Sequence, residues 1–327
     1  RLLLGLVADG KGNVAVRLAE AAGISRQAAS ARISAAVRAG LITRMGVGRG
    51  VRYALAETQR QEREFRREAL SEDRVWRSLC APVVADLPPN VRDIWQYGLT
   101  EMINNAVDHS GSETVRVGII RNALYTQAWV ADTGEGIFLK IARALDLYDP
   151  REAILELAKG KLTTDPANHS GEGIFFSSKV FDLFDIQSGA LHFMHDDGLD
   201  DILIERPKNA PGTLVLMRLD NQSLRTTKEI FDKFAVPDEY SFARTIVPVR
   251  LAQHEGEKLV SRSQAKRLTM RFERFKSVIL DFAGVEEIGP SRLLIPLDDA
   301  GHCIVAVVNF EASVMLIAFA GHREGYS

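Results

Sequence analysis

The sequence has little cysteine and no large surplus of charge of either sign. Its two cysteines, Cys80 and Cys303, lie far apart, which excludes a disulfide framework and a cysteine-based metal cluster. We therefore expect a reducing, cytoplasmic environment. Hydrophobic residues make up 46% of the 327 positions, enough to bury the cores of two or three domains. The composition is that of an ordinary soluble protein.

An uninterrupted membrane-spanning segment is also lacking. Residues 302–322 are apolar for nearly the length of a span, but Asn309 and Glu311 lie at the centre of this stretch. A charge at that depth costs roughly 3 kcal/mol on insertion scales. We therefore predict a buried strand followed by a helix, and no membrane contact.

The small net charge of −2 conceals an uneven distribution. The first 56 residues carry nine Lys or Arg and two Asp or Glu, which gives +7 and leaves −9 for the rest of the chain. A basic terminal segment of this kind favours a polyanionic partner.

Residues 14–44 of this basic segment have the pattern of two helices joined by a tight turn. Gly23 supplies the turn, and Ser25 is the expected N-cap of the second helix. We expect the inward face of that helix to consist of Ala28, Ala29, Ile33 and Val37. Groups suited to base edges and phosphates lie at its start and on its outward face, namely Ser25, Arg26, Gln27, Ser30 and Arg32.

The sequence that follows, up to Ala56, looks like two strands around a tip rich in glycine and arginine. With the two helices it resembles a winged helix-turn-helix domain over residues 1–56, whose wing carries Arg44, Arg49 and Arg52. The resemblance implies binding to double-stranded DNA. A helical hairpin used for protein contact is the alternative.

Residues 57–78 are dense in both charges and contain few large apolar residues. We interpret them as an exposed helical linker. A dimerisation helix is the alternative, although Phe65, Leu70 and Val75 form only a sparse seam.

The stretch EMINNAVDHS, residues 101–110, reads as a helix with a polar stripe. Glu101 and Asn105 are four residues apart and therefore share a face, with Asp108 or His109 one turn further on. Ile103 and Ala106 belong to the apolar side. By itself this pattern is typical of a solvated helix face.

A glycine motif lies further along the chain. Two β-like runs are joined at Asn122, and the second ends in Asp132, followed by Gly134 and Gly136. Glycines at a strand exit allow the backbone to turn close to a flat ligand. A carboxylate there can accept a hydrogen bond from an exocyclic amine such as adenine N6.

Two further pieces follow this motif. Gly171 and Gly173 directly precede an apolar helix, whose N-terminus would favour phosphate oxygens. Thr213 is expected at the start of a later strand, where its hydroxyl could hold the ligand or a water beside Asp132.

In this order and spacing, the pieces resemble the GHKL ATPase family, which includes gyrase B, MutL and the histidine kinases. The resemblance spans about residues 90 to 220 and implies a GHKL (Bergerat) α/β sandwich domain, which we assign to residues 79–220, with ATP and Mg²⁺ as cofactors. Glu101 would be the catalytic base and Asn105 the Mg²⁺ ligand. The implied ATP-binding residues are Asn105, Asp108, Asp132, Gly134, Gly136, Gly171, Gly173 and Thr213.

The same resemblance makes residues 138–170 a mobile lid over the triphosphate. Lys159, Lys161, Thr163 and Thr164 are candidate phosphate contacts within it, and a solvated loop would explain them equally well. His169 is interpreted as a lid residue and His109 as a structural one.

The C-terminal region follows a linker over residues 221–240. It reads strand, helix, strand, which indicates a β-α-β unit. VILDFAGVEEIG resembles part of STAS-like domains, the fold of anti-sigma factor antagonists, so residues 241–327 are predicted to be STAS-like. Ser291 lies near the place where that family carries a phosphorylatable serine. A closing strand and helix are expected near the C-terminus.

Together these predictions describe a multidomain α+β protein with a winged helix-turn-helix domain, a GHKL domain and a STAS-like α/β domain. The leading hypothesis is an ATP-binding, DNA-binding transcriptional regulator, in which the GHKL switch communicates with the STAS-like domain. The sequence leaves the oligomeric state open, and a homodimer is one option because winged regulators commonly pair on palindromic DNA. The alternative is a serine protein kinase of the anti-sigma type that acts on its own third domain or on a partner. A topoisomerase or mismatch-repair clamp would require a transducer domain and a lysine that we do not find.

Overall fold

The computed structural model describes residues 1–162, 171–196, 201–236, 241–252, 262–282, 285, 293–296, 302–309 and 314–322. The protein is a mixed α+β protein that divides into two compact units. The first unit comprises Arg1–Thr133, Phe181–Leu183 and Leu214–Thr226. The second unit comprises Gly134–Val180, Phe184–Thr213 and Thr227–Ser327.

The helices and strands are numbered along the chain. The α-helices are α1 (Leu2–Ala8), α2 (Val14–Ala22), α3 (Arg26–Arg38), α4 (Glu72–Val75), α5 (Ala81–Val84), α6 (Pro89–His109), α7 (Ile137–Ala144), α8 (Glu152–Lys159), α9 (Gly173–Val180), α10 (Thr227–Phe234) and α11 (Arg262–Thr269). The strands are β1 (Ile42–Met45), β2 (Arg52–Leu55), β3 (Gln59–Arg66), β4 (Thr114–Arg121), β5 (Tyr125–Asp132), β6 (Leu183–Asp196), β7 (Ile202–Asp220), β8 (Ala235–Val236), β9 (Ser241–Phe242), β10 (Arg244–Pro248), β11 (Ser277–Asp281), β12 (Leu293–Pro296), β13 (His302–Asn309) and β14 (Val314–His322).

The basic segment forms the two helices, the tight turn between them and the two strands that its sequence pattern predicts. Gly23 ends α2 in the left-handed conformation, and the Ser25 hydroxyl accepts the Ala28 N–H at 3.1 Å to begin α3. Strands β1 and β2 pair antiparallel, with Ile42 opposite Leu55. The small core of this headpiece, residues 1–56, is closed by α1, a helix that the sequence reading did not predict. The buried residues of this core are Val7, Val14, Leu18, Ala19, Ala29, Ile33, Ala36 and Ile42.

The rest of the first unit contains β3, β4, β5 and the end of β7, which pair antiparallel in this order, together with α4, α5 and α6. Alternate residues along β4, such as Val115 and Val117, are buried, and α6 packs against β4 and β5. Gly98 of α6 must lack a side chain because an added Cβ would lie 2.3 Å from the Phe181 ring. Cys80 is buried as a free thiol, and burial raises its pKa to about 12.

The predicted helical linker over residues 57–78 is wrong at its centre. Residues 59–66 form β3, which pairs antiparallel with β4 from Gln59 opposite Arg121 to Arg66 opposite Thr114. Six of its first seven side chains are exposed because β3 is an edge strand, where charged side chains protect against unwanted pairing. A short 3₁₀ helix covers Arg67–Ala69, and α-helix begins at α4, which continues as one π-helical turn over Trp76–Cys80.

The second unit contains α7 to α9, β6, the first part of β7, and the C-terminal region. The predicted β-α-β unit is confirmed, since β10 and β11 pair in parallel with Arg244 opposite Ser277 and α11 lies between them in the chain. Leu268 of α11 is buried, as are Phe272 and Phe275. The helix is shorter than predicted, because it ends at Thr269 and Arg271 adopts the left-handed conformation, so both phenylalanines lie beyond it.

The end of the C-terminal region differs from the prediction. Strand β13 confirms the expected strand, but the expected closing helix is wrong, because β14 pairs antiparallel with β13 and β12 pairs with the other side of β13. An apolar run of this length suits a helix or a strand, and the neighbouring apolar strand determines which one forms. Ser291 lies outside the described residues. Among the described helices, none combines the length and apolar character needed to cross a bilayer.

Candidate functional site

The candidate DNA-binding surface lies on α3 and the wing. Arg26, Gln27, Ser30 and Arg32 are exposed on α3, whereas Ala29 and Ile33 of the same helix are buried. Arg44 and Arg52 are exposed on paired strands. Ser25 is exposed as well, and its hydroxyl oxygen caps α3. The side chain of Arg49 lies outside the described part of the structure.

Helix α6 presents the predicted polar stripe. Glu101 and Asn105 are partly exposed and Asp108 is exposed, whereas Met102, Ile103 and Ala106 are buried on the other side. The Asn105 Nδ2 atom is buried, and it has no hydrogen-bond partner among the residues that the structure describes. An unsatisfied buried amide costs about 1–3 kcal/mol, so it requires an explanation. A ligand oxygen that accepts from this amide would supply one.

The end of β5 is fixed next to the end of α6. Asp132 is the last residue of β5, and the following residue, Thr133, donates its N–H to the Ser112 hydroxyl oxygen at 3.2 Å. The Ser112 and Thr133 hydroxyl oxygens are 3.0 Å apart, and Ser112 also donates to the Thr114 carbonyl at 2.7 Å. Sequence reasoning missed Ser112 and Thr133, whose only signal was their position directly after the two elements.

The glycine after β5 has a structural reason to be glycine. Gly136 has φ +95°, and an added Cβ would lie 2.5 Å from the Ser188 hydroxyl. The Ile137 N–H at the start of α7 donates to the Thr213 hydroxyl at 3.0 Å, so Thr213 and Gly136 lie together in the second unit. Thr213 lies inside β7 and not at the start of a strand as predicted. Ser188 is a further residue that the sequence did not indicate, and its hydroxyl donates to the Gly212 carbonyl at 2.9 Å.

The second glycine pair lies at the start of α9, with Gly171 before the helix as predicted. Gly171 has φ +73°, and its carbonyl accepts the Leu162 N–H at 3.1 Å. An added Cβ at Gly171 would lie 2.5 Å from the Leu162 backbone, so a side chain is excluded. Gly173 is the first residue of α9. Between the two glycines, burial raises the pKa of the Glu172 carboxyl, and the charge of Lys161 opposes this shift.

Helix α8, which lies within the predicted lid, is not exposed. All of α8 is buried, and the Lys159 ammonium donates to Glu156 Oε1 at 2.6 Å and to the carbonyls of Arg267 and Met270 at 2.9 Å. Burial is the main cause of the lowered pKa of Lys159, and the Glu156 carboxylate partly offsets it. The prediction of Lys159 as a phosphate contact is therefore wrong.

The other candidates in the lid have different outcomes. Lys161 donates to the Arg274 carbonyl at 3.0 Å and remains partly exposed. Thr163, Thr164 and His169 lie outside the described residues.

The predicted nucleotide residues are divided between the two units. Glu101, Asn105, Asp108 and Asp132 belong to the first unit. Gly134, Gly136, Gly171, Gly173 and Thr213 belong to the second unit. Within the described ranges, no group of three or more His, Cys, Asp or Glu side chains could hold a metal ion. No protein-family model matches the chain, and no curated protein sequence matches it significantly.

Proposed function

We propose that the protein is a transcriptional regulator that binds DNA through its winged headpiece and Mg-ATP through a GHKL-type domain. The observation that carries the nucleotide part is the buried Asn105 Nδ2 atom, which has no hydrogen-bond partner among the described residues, on a helix face that Asn105 shares with Glu101. A buried polar group without a partner in the described chain lowers stability, and a bound ligand is one way of satisfying it.

The chemistry of the first unit fits a magnesium nucleotide. Mg²⁺ usually takes few protein ligands and completes its octahedral shell with phosphate oxygens and water, so the Asn105 amide oxygen is an adequate single ligand. Bound there, the ion would neutralise the charge of the phosphates. Glu101, one turn earlier on α6, would position a water or an acceptor hydroxyl as base. Asp132 would accept the adenine amino group.

The DNA part of the proposal rests on the headpiece. Its cationic side chains are exposed on the second helix of a helix-turn-helix and on a two-stranded wing, and residues 1–56 carry a charge of +7. Phosphate contacts by such residues supply affinity, and polar side chains at the start of α3 would contact base edges.

The C-terminal region is proposed as the partner domain that responds to the nucleotide. Arg271 lies just after α11 of the β-α-β unit. It donates to Glu156 of α8 at 2.9 Å in a buried ionic contact. A conformational change around α8 would therefore directly alter the contacts of the C-terminal β-α-β unit.

Calorimetric titration of the full chain with Mg-ATP tests the nucleotide proposal. We expect Asp132→Asn to weaken binding about tenfold or more, because a hydrogen bond to a charged acceptor contributes about 1.5–3 kcal/mol. Asp93→Asn is the matched control, since Asp93 is an exposed carboxylate on the same unit and should leave the affinity unchanged. Absence of Mg-ATP binding by the unmodified chain, or equal affinities for all three proteins, would refute the proposal.

A further inference from the structure

Arg67 directly follows β3, in the stretch whose charge had suggested a linker. Its Nε donates to the Ser112 carbonyl at 2.8 Å, and its Nη1 donates to the Val107 carbonyl at 3.1 Å. The Arg67 backbone N–H also donates to the Glu113 carbonyl at 2.9 Å. The residue is thus fixed by its main chain and by both sides of its guanidinium.

One of these bonds holds the end of the helix that carries the candidate nucleotide residues. The Val107 carbonyl belongs to the last turn of α6, where carbonyls have no partner within the helix. A cation in this position also interacts favourably with the helix dipole. Arg67 therefore fixes the end of α6 that lies closest to Asn105 and Asp108.

The other bond leads to the exit of β5. Arg67 fixes the Ser112 carbonyl, and the hydroxyl of the same Ser112 accepts the N–H of Thr133, the residue after Asp132. A single guanidinium thus contacts both the helix that carries Asn105 and the loop that positions Asp132. All of these residues lie in the first unit.

At its N-terminal end, β3 is joined to the headpiece by a very short connection. The Ala56 N–H donates to the Leu41 carbonyl at 3.1 Å, and the Thr58 N–H donates to the Arg121 carbonyl at 2.8 Å, so only Glu57 lies between the wing and the sheet. A second contact is the ion pair between the Arg1 guanidinium and the Asp220 carboxylate at the end of β7. The headpiece and β3 are therefore joined by a short, hydrogen-bonded connection and not by a long linker.

We infer that Arg67 is a positioning residue that couples DNA binding by the headpiece to nucleotide binding by α6 and β5. The inference rests on the proposed function. It differs from the route expected from the sequence, because the coupling runs through an edge strand of the first unit and does not require the C-terminal region. By linkage, the effect of nucleotide on DNA affinity equals the effect of DNA on nucleotide affinity.

The test measures the affinity of the full chain for a mixed-sequence DNA duplex at low salt, with and without Mg-ATP. We expect the unmodified chain to show a ratio of the two affinities of about fivefold or more, within the usual range of allosteric coupling. Arg67→Ala should bring the ratio close to one while its DNA affinity without nucleotide stays within about twofold. Arg67→Lys should behave similarly, because lysine cannot bridge two carbonyls in the same planar geometry.

Arg66→Ala is the matched control. It removes the same charge one position earlier from an exposed side chain and should keep the ratio of the unmodified chain. The inference is overturned if the unmodified chain binds both ligands with a ratio of one, if Arg67→Ala keeps the full ratio, or if it loses DNA affinity in the absence of nucleotide. Failure of the unmodified chain to bind Mg-ATP in calorimetry would instead remove the proposed function, and the coupling with it.

Discussion

Lys159 and Asn105 each have a buried side-chain nitrogen atom, and the two nitrogens differ in whether they have hydrogen-bond partners. Lys159 has three acceptors for its three protons, namely Glu156 and two carbonyls, and nothing about it requires a ligand. The Asn105 Nδ2 atom has no partner within the described chain. The lysine looked functional in the sequence and is structural, whereas the amide carries an energetic cost that a ligand would remove.

The Asn105 amide leads to a prediction in which stability and binding change in opposite directions. Asn105→Leu removes an unsatisfied buried group of about 1–3 kcal/mol, so the free energy of unfolding should rise or stay level. Mg-ATP binding should be lost. Urea denaturation and calorimetry of the same sample would measure both quantities.

Asn104→Leu is the control for this prediction, since Asn104 is the preceding residue on α6 and is also partly exposed. It should retain Mg-ATP binding. An Asn105→Leu protein that binds Mg-ATP like the unmodified chain would contradict the role that we give to the amide.

At the scale of single elements, the sequence predicted what local chemistry determines. Gly23 ends α2 through its backbone preference, and Ser25 begins α3 through its side-chain hydroxyl. The helices of the headpiece could therefore be predicted from the sequence. The polar stripe of α6 and the exit of β5 at Asp132 were likewise visible as short periodic patterns.

Elements whose structure depends on segments far away in the sequence could not be predicted from local patterns. Strand β3 pairs with β4 about fifty positions later, and its own residues show no apolar alternation because it is an edge strand. Strand β14 is apolar from Val314 to Ala320 and forms a strand beside β13. Helix α8 is buried and contacts Arg271, which lies more than a hundred residues later in the chain. The hydrogen bonds of Ser112 and Arg67 depend on the same kind of long-range placement.

The ionic cluster around α8 supports a prediction about this element. Glu156 contacts both Lys159 at 2.6 Å and Arg271 at 2.9 Å, and all three side chains are at least nine-tenths buried. Glu156→Gln would leave two buried cations without their carboxylate, which typically costs about 3–5 kcal/mol. Urea unfolding should show this loss.

A surface pair of the same unit supplies the comparison for this loss. Lys228→Met breaks the exposed Lys228–Asp232 pair of α10, and its effect should stay below about 1 kcal/mol. Equal effects of the two substitutions would show that the cluster around α8 does not hold the second unit together.

At the scale of the whole molecule, the compact units do not coincide with the modules read from the sequence. The headpiece, β3, α6 and β5 form one unit, although the sequence suggested a linker between the first two modules. The residues predicted to bind one nucleotide belong to both units. Sequence patterns give the order of modules along a chain, but the division into compact units depends on contacts between segments that lie far apart in that order.

The charge asymmetry of the whole chain gives a prediction about salt. The headpiece has a charge of +7 and the remainder −9, so DNA affinity should come from the headpiece and should fall steeply with salt. Each phosphate contact contributes about −0.9 to the slope of log affinity against log salt concentration. Arg32→Ala should therefore make the slope shallower by about one and weaken binding to all duplexes similarly.

Arg74→Ala separates a specific surface from a general charge effect. Arg74 is exposed and lies outside the headpiece, so its removal changes the net charge by the same amount without touching α3. The slope should then stay unchanged, because the Debye length of about 10 Å at 0.1 M salt screens charges that make no phosphate contact. If both variants shift the slope equally, affinity depends on overall charge, and the outward face of α3 is not the DNA-binding surface.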